Sequence, residues 1–475
     1  MSFIKGTPRS DVLLLPEALD DYVSKDNPVR FIEAFVDNLN LKELAFSRST
    51  PAHTGRPAYD PADLLKLFIY GYLNRIRSSR MLEREAHRNL ELIWLMRKLK
   101  PDFKTIADFR KDNTDAIKQV CRNFTLLCKK MDLFAGELIA IDGSKFKAQN
   151  SKRRNFTAKK LDLIIKEIDE KVASYLDELD EADHQEKDVT SPTAEQLREK
   201  IEQLKCRRQG YEQIQEQLKD SGESQLSLTD PDSRSMKVGQ AKDVCYNLQI
   251  AVDDKNKLIV EHELTNDPTD QAHLASMAIK AKQTLEVEKM EVVADKGYYD
   301  GAEVKKCEQA GISVYVAKQQ TSANKKLGLF TKEDFRYDRQ KDCYVCPAGK
   351  ELSYRCETVE LGRHIRYYST SECRGCEIKA KCTRNKRVRR ISRWVDEAIL
   401  EDMERRVRGE PEKMKKRKEL VEHPFGTMKR GMNQGYLLMK GMKKVAAEMS
   451  LTVLSYNIKR VINIVGVIKM IEAVG

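Results

Sequence analysis

The stretch GELIAIDGSKFKAQNSK, residues 136–152, decides how the chain is read. Leu138 to Ile141 form a short apolar run that ends in a single acid, Asp142. Gly143 follows at once, and Lys145, Lys147 and Lys152 come close behind. A short apolar run bounded by a turn signal is the pattern of a buried strand. One carboxylate at its mouth, with cations beside it, is a chemical feature rather than a packing one.

The texture changes at this stretch. Upstream, residues 1–135 read as an all-α domain. NPVRFIEAFVDNL and DPADLLKLFIYGYLNRI carry apolar residues three and four apart. Pro61 after Asp60 marks a helix start. Further helices are expected at about 79–97, 103–112 and 114–131, a bundle with room for a helix-turn-helix.

Downstream, residues 157–222 read as an insertion of two antiparallel helices around a polar link containing Pro192. Strands return as VCYNLQIAV, 244–252, and KLIVEHEL, 257–264, with DDKN as the hairpin turn. A helix over about 269–285, the strand MEVVAD, a helix over about 301–310 and the strand ISVYVA follow. Strand, hairpin, helix, strand, helix, strand is the plan of a ribonuclease-H-like mixed α/β sheet with flanking helices. The expected division is 1–135 helical and 136–329 the first part of the sheet core. A cysteine-rich insertion then occupies 330–392, and 393–475 completes the core.

The chain has 475 residues, 40% hydrophobic and 34% charged, with a net charge of +12. Residues 381–444 hold twenty Lys/Arg against nine Asp/Glu, so nearly the whole excess sits in one stretch. Clustering of this kind points to a polyanion, and to nucleic acid first. The N-terminal residues lack the apolar core of a secretory signal, and no run reaches the ~18 apolar residues of a membrane span. LTVLSYNIKRVINIVGVIKMIEAVG is expected to form a C-terminal amphipathic helix packed on a core. A cytoplasmic protein is therefore expected, and its eleven cysteines are expected to be thiols or metal ligands rather than disulfides.

Three acids share a pattern. Asp142 closes LIAID, Asp295 closes EVVAD, and Glu422 sits in KELVEHPFGTMKR on a basic helix. Each alone is an ordinary loop or cap residue. Together they are more specific, because the first and fourth strands of such a sheet lie side by side and present their ends to one place. Converging carboxylates repel unless cations neutralise them. Mg²⁺ does so with oxygen ligands while keeping waters and phosphates in its shell. Two such ions about 3.5–4 Å apart suit in-line displacement at phosphorus. Lys145, Lys147, Lys296, Arg417, Lys429 and Arg430 stand near these acids as contacts for a DNA backbone. Asp253, Asp254, Asp267 and Asp270 compete as ligands but read as turn or cap residues. His423 is read equally as a DNA contact or a local packing residue.

On these residues the chain resembles bacterial insertion-sequence DDE transposases, which are related in fold to retroviral integrases. The matching segments are YGYLNRIRSSRMLEREAHRNLELIWLM, PDFKTIADFRKDN, AIDGSKFKAQNSK, YNLQIAVD, VVADKGYYD, CPAGK and VEHPFGTMKRG, in that order along nearly the whole chain. The resemblance implies a catalytic triad of Asp142, Asp295 and Glu422 holding two Mg²⁺ or Mn²⁺ ions. It implies hydrolysis at the ends of a mobile element and strand transfer into target DNA. Its partners would be terminal inverted repeats, target DNA and a second copy of the chain in a synaptic complex, near the nucleoid and without a membrane. Glu422 and Lys429 keep the family's helical spacing. Arg417 is one residue further from Glu422 than in the best-known form, and Lys413 to Lys416 occupy the region where the family places a tyrosine. Two rival readings use the same residues: a related metal-dependent nuclease, and a catalytically silent DNA-binding protein.

The cysteines form their own pattern. Cys343 and Cys346, then Cys373 and Cys376, are two C-x-x-C pairs, and Cys382 follows. This spacing suggests a structural zinc, and the resemblance implies a zinc-ribbon-like insertion here. Cys121, Cys128, Cys206, Cys245 and Cys307 read as buried small hydrophobes. No phosphate-binding G-x-x-x-x-G-K-[ST] loop, G-x-S-x-G elbow or spaced histidine pair is present.

Overall fold

In the computed structural model, which describes residues 18–50, 57–184, 194–319 and 323–475, the opening stretch becomes strand β1, Leu138–Lys147. The strand does not stop at Asp142 as the sequence reading expected. Its register to β5, Ala241–Asp253, continues through Lys147↔Cys245. Beyond Asp142 the alternation of Gly143, Lys145 and Lys147 with Ser144 and Phe146 is itself strand-like, and an antiparallel neighbour supplies the backbone partners.

Among the described residues before β1 are six α-helices: α1 Pro28–Asp37, α2 Pro61–Leu73, α3 Ser79–Arg88, α4 Leu90–Leu95, α5 Phe103–Asp112 and α6 Thr114–Lys130. Asp60 caps α2 through Ala62 N at 2.8 Å, with Pro61 at the first helical position. The single helix expected at 79–97 is two. Asn89 ends α3, and its side chain accepts from Leu92 N to start α4.

After β1, the short strands β2 (Asn155–Phe156) and β3 (Leu226–Ser227) pair at the base of an antiparallel arm, α7 Ala158–His184 and α8 Ala194–Ser221. The link with Pro192 lies outside the described residues. β4 (Arg234–Val238), unanticipated from sequence, folds back onto β5. Then follow β6 Ile259–Thr265, α9 Leu274–Leu285, β7 Met290–Ala294, α10 Gly301–Gln309 and β8 Ile312–Val316.

β5 runs antiparallel to β1 and β6, while β7 is parallel to both β1 and β8. The main path β4-β5-β1-β7-β8, with β6 also on β5, is the mixed sheet that the element order called for.

After the short helix α11 (Ala323–Lys326) comes a second sheet. It orders β13 (Ile391–Trp394), β12 (Arg363–Ser369), β11 (Glu351–Glu360), β10 (Cys343–Val345) and β9 (Arg336–Asp338), all antiparallel. Its own core is Phe335, Tyr344, Leu352, Tyr368 and Ile391. α12 is Lys379–Cys382, α13 Glu397–Gly409 and α14 Pro411–Gly426. α14 contains Pro424 and passes into a π-helical turn, Thr427–Gly431.

α15 (Met442–Val465) and α16 (Val467–Val474) end the chain. The expected single amphipathic helix is broken at Gly466, whose φ of 82° bends the pair by 111°. No single helix among the described residues is long and apolar enough to cross a membrane. α15 is not one-sided: Val445 through Ile458 are buried on every face, between α2 and α6 on one side and β6 on the other. A buried ion pair, Arg77–Glu448 at 3.2 Å, ties the N-terminal helices to it, and the same carboxylate accepts from Leu438 N and Met439 N.

Candidate active site

The site forms where β1 loses a neighbour. Parallel pairing of β1 with β7 ends at Ile141↔Ala294, so Asp142 and Asp295 are the next residue on each strand. Asp295 leaves β7 and caps a short turn, its Oδ1 accepting from Gly297 N at 2.6 Å. Asp142 stays in the β5 ladder, and its side chain is only 23% exposed.

Side chains on a strand alternate between faces, and here the two faces have different occupants. On the face of Asp142, Ser144 and Phe146 lies α14. Arg417 Nη1 is 3.1 Å from Asp142 Oδ2, Lys429 Nζ donates to Ser144 Oγ at 2.6 Å, and Phe425 packs on Phe146. On the face of Gly143 and Lys145 lies a polar network. Asp270 Oδ1 accepts from Lys145 Nζ at 3.0 Å, Asn247 Nδ2 at 2.6 Å and Gln249 Nε2 at 2.8 Å. The fully buried Tyr298, three residues past Asp295, donates its hydroxyl to Gln249 Oε1. Gly143 is required by this packing: a Cβ there would stand 2.4 Å from Gln249 Nε2 and 2.6 Å from Asp270 Oδ1.

Charge follows from this layout. Burial, with smaller pushes from Asp295 and Asp270, brings the Asp142 carboxyl up to about 6. Arg417 and the Gly143 N–H oppose the rise. Burial also lowers the Lys429 ammonium. Asp270 is held below its ordinary value: burial raises it, but the bonds from Asn247, Lys145 and Gln249 outweigh burial.

Asp142 and Asp295 are thus adjacent, with Arg417 and Lys429 over the same strand. Glu422 is on α14 but on its flank, 66% exposed and 3.7 Å from Lys418. Of the candidate DNA contacts, Lys296 and Arg430 are exposed. Lys147 is 54% exposed and 3.4 Å from Asp243, whereas Lys145 is 14% exposed and committed to Asp270. Arg417, read from sequence as a backbone contact, is 18% exposed and committed to Asp142. His423 packs against Tyr456, its Nδ1 2.9 Å from the hydroxyl.

Among the competing acids, Asp253 is a loop anchor that accepts from Ala135 N and Gly136 N, Asp254 pairs with Lys416, and Asp267 with His273. Asp270 lies across the strand from Asp142, in the network above. The signal that could have flagged that network is in VCYNLQIAV: Asn247 and Gln249 are two amides at alternate positions of an otherwise apolar strand.

Among the described residues, no three His, Cys, Asp or Glu side chains form a ready-made metal cage. The oxygen-only pair Asp142 and Asp295, with Asp142 raised by burial that Arg417 only partly offsets, nevertheless suits a hard divalent cation. In the cysteine module, Cys346, Cys373, Cys376 and Cys382 line one small cavity with Phe335 and Leu352, and burial first, then each of the other three thiols, raises Cys382 against the pull of Arg389. Cys343 does not line that cavity and is buried in β10 opposite Ser353. Of the cysteines expected to be buried, Cys121, Cys128, Cys245 and Cys307 are. Cys206 is exposed on α8, because the arm is too thin to bury both faces of its helices.

Two family models match the chain: a transposase domain (DUF772) over residues 17–112 and a transposase DDE domain over residues 345–462. The second span holds the four cavity thiols, α13, α14 and most of α15. No curated protein matches. Among solved structures, the chain is similar to a piggyBac transposase synaptic complex with hairpin DNA, at 8% identity and a TM-score of 0.30 over 94% of this chain and 79% of that one.

Proposed function

On the premise that this chain is a DDE transposase, we propose that it cuts phosphodiester bonds at the ends of an insertion sequence and joins the freed ends to target DNA. The observation that supports this reading is the juxtaposition of Asp142 and Asp295 where β1 and β7 part, beneath a basic helix. Asp142, Asp295 and Glu422 would hold Mg²⁺ or Mn²⁺. When bound, such ions neutralise a phosphodiester and acidify the attacking oxygen.

The chain's own contribution is positioning. β1 and β7 fix the two aspartates relative to each other, while Glu422 stands on the outer side of α14 beside Lys418, so its joining the pair requires α14 to turn. Lys429, held at Ser144, sets one cation beside Asp142 where phosphate oxygens would lie. Lys147, Lys296 and Arg430 extend the cationic surface for double-stranded DNA, both terminal repeats and target. Two element ends need two active sites, so a homodimer forms the synaptic complex, in the bacterial cytoplasm at the nucleoid.

The test is cleavage of labelled DNA from the flanking end sequence with Mg²⁺ or Mn²⁺. Asp142→Ala, Asp295→Ala and Glu422→Ala are expected to lower cleavage by about three orders of magnitude or more while DNA binding is kept. Full activity in any of the three would remove that residue from the triad. Loss of binding in step with cleavage in all three would refute the ligand role.

A structural zinc on Cys346, Cys373, Cys376 and Cys382 belongs to the same proposal. Metal analysis of the purified chain is expected to give about one zinc per chain. Cys376→Ser should lose it and Cys343→Ser should keep it; retention in Cys376→Ser would reject this ligand set.

A further inference from the structure

Arg417 and Glu422 are five residues apart on one helix. At ~100° per residue their side chains diverge by about 140°. One orientation of α14 cannot point both at β1. In this structure Arg417 is the one presented, 3.1 Å from Asp142 and mostly buried, while Glu422 faces outward beside Lys418.

A buried carboxylate needs a counter-charge, and here the protein supplies one from the helix that also carries the third acid. A guanidinium is suited both to this task and to gripping a phosphate through two parallel bonds. The helix beyond it is irregular. Pro424 cannot donate to the Leu420 carbonyl, and the π turn at Thr427–Gly431 follows at once. A segment so joined is less stiffly bound to the rest of the chain than a continuous α-helix.

We infer that Arg417 is a placeholder cation: a positioning residue that pairs with Asp142 as seen here, yields that carboxylate to a divalent ion when one binds, and is thereby released toward a substrate phosphate. This rests on the metal-dependent reading above and adds a competition within it. Ion and guanidinium contend for one carboxylate, so ion binding frees an anion-binding group, and metal and DNA affinity are coupled through Asp142.

The competition is read directly by titrating the full chain with Mn²⁺ in the absence of DNA, by calorimetry or by the loss of the free-ion paramagnetic signal. Arg417→Gln is expected to bind Mn²⁺ about tenfold more tightly than wild type, because the competitor is gone. Arg417→Lys, which keeps a charge, is expected to lie within about threefold of wild type. Lys415→Gln, an exposed charge on the same helix, controls for a general loss of positive potential and is expected to change affinity by less than about twofold. A cooperative thermal transition checks that each variant is folded, and Asp142→Asn completes the set. Mn²⁺ binding lost in Asp142→Asn but not tightened in Arg417→Gln would overturn the role of Arg417 alone. Binding unaffected by Asp142→Asn would overturn the metal reading beneath it. Equal tightening in Lys415→Gln would show that bulk charge, not the pairing, sets the affinity, and would also overturn the proposal.

Discussion

Replacing Gly143 by alanine adds one methyl group at the most crowded point of the site. Gly143 has no positive φ, so backbone strain does not oppose the change. In an open strand the substitution would stabilise by about 0.4–1 kcal/mol through the unfolded chain. The sign is set instead by what the new Cβ meets: Gln249 Nε2 at 2.4 Å, Asp270 Oδ1 at 2.6 Å and Asn247 Oδ1 at 3.0 Å. Asn247 and Gln249 are fully buried, and both already donate to Asp270.

At least one amide bond to that carboxylate must break. A hydrogen bond to a charged group is worth roughly 1.5–3 kcal/mol, and forced overpacking costs about 1–3 kcal/mol. Less the favourable backbone effect, Gly143→Ala should destabilise by about 1.5–5.5 kcal/mol, which lowers Tm by less than about 2 °C per kcal/mol in a chain of 475 residues. Thermal or urea unfolding followed by circular dichroism measures it. A double-mutant cycle with Asp270→Ala then localises the cause: once the carboxylate is removed, the alanine should cost markedly less. A Gly143→Ala protein with an unchanged or raised midpoint would refute the steric reasoning. An unchanged cost in the Asp270→Ala background would show that Asp270 is not what the methyl group strikes.

Other outcomes follow from the same kind of accounting. Arg77→Met strands the fully buried Glu448 carboxylate and should cost about 3–5 kcal/mol, which Glu448→Gln in the same chain should partly restore in a melting experiment. Tyr298→Phe leaves Gln249 Oε1 without its buried donor and should cost about 1–3 kcal/mol by denaturant midpoint. His262, held near Ser450, is lowered by burial to about 4. The unfolded chain takes up this proton at about 6.5 and the native chain only near 4. His262 thus removes stability as pH falls through that window, by at most about 3 kcal/mol. His262→Gln should narrow the gap between stabilities measured at pH 7 and pH 4.

The elements legible in the sequence were those whose periodicity was undiluted: the apolar half of β1, the β5–β6 hairpin, the strand ending at Asp295, and the helices with clear caps such as Asp60–Pro61. β4 was missed because RSMKV is short, half polar and follows a turn-rich segment, and only pairing to β5 makes it a strand. The second half of β1 was missed because Lys145 and Lys147 look like loop residues until Asp270 and Asp243 are seen to take their charges. The adjacency of Asp142 and Asp295 was accessible from strand order. The occupant of the space over Asp142 was not, because which face of a basic helix meets the sheet depends on tertiary packing. Lys413, Arg417, Leu420, Val421 and Pro424 trace that face only once the structure is known.

The burial of α15 has a consequence for biosynthesis. Its inner residues complete the core of helices made hundreds of residues earlier, and Arg77 must wait for Glu448. At ordinary ribosomal speed the N-terminal helices therefore stay incompletely packed for tens of seconds, exposing apolar surface until the final segment emerges. A chain cut short before that segment leaves the amino-terminal helices without the α15 part of their core and Arg77 without its partner. Such a truncated chain is expected to be cleaved by protease faster than the full-length chain.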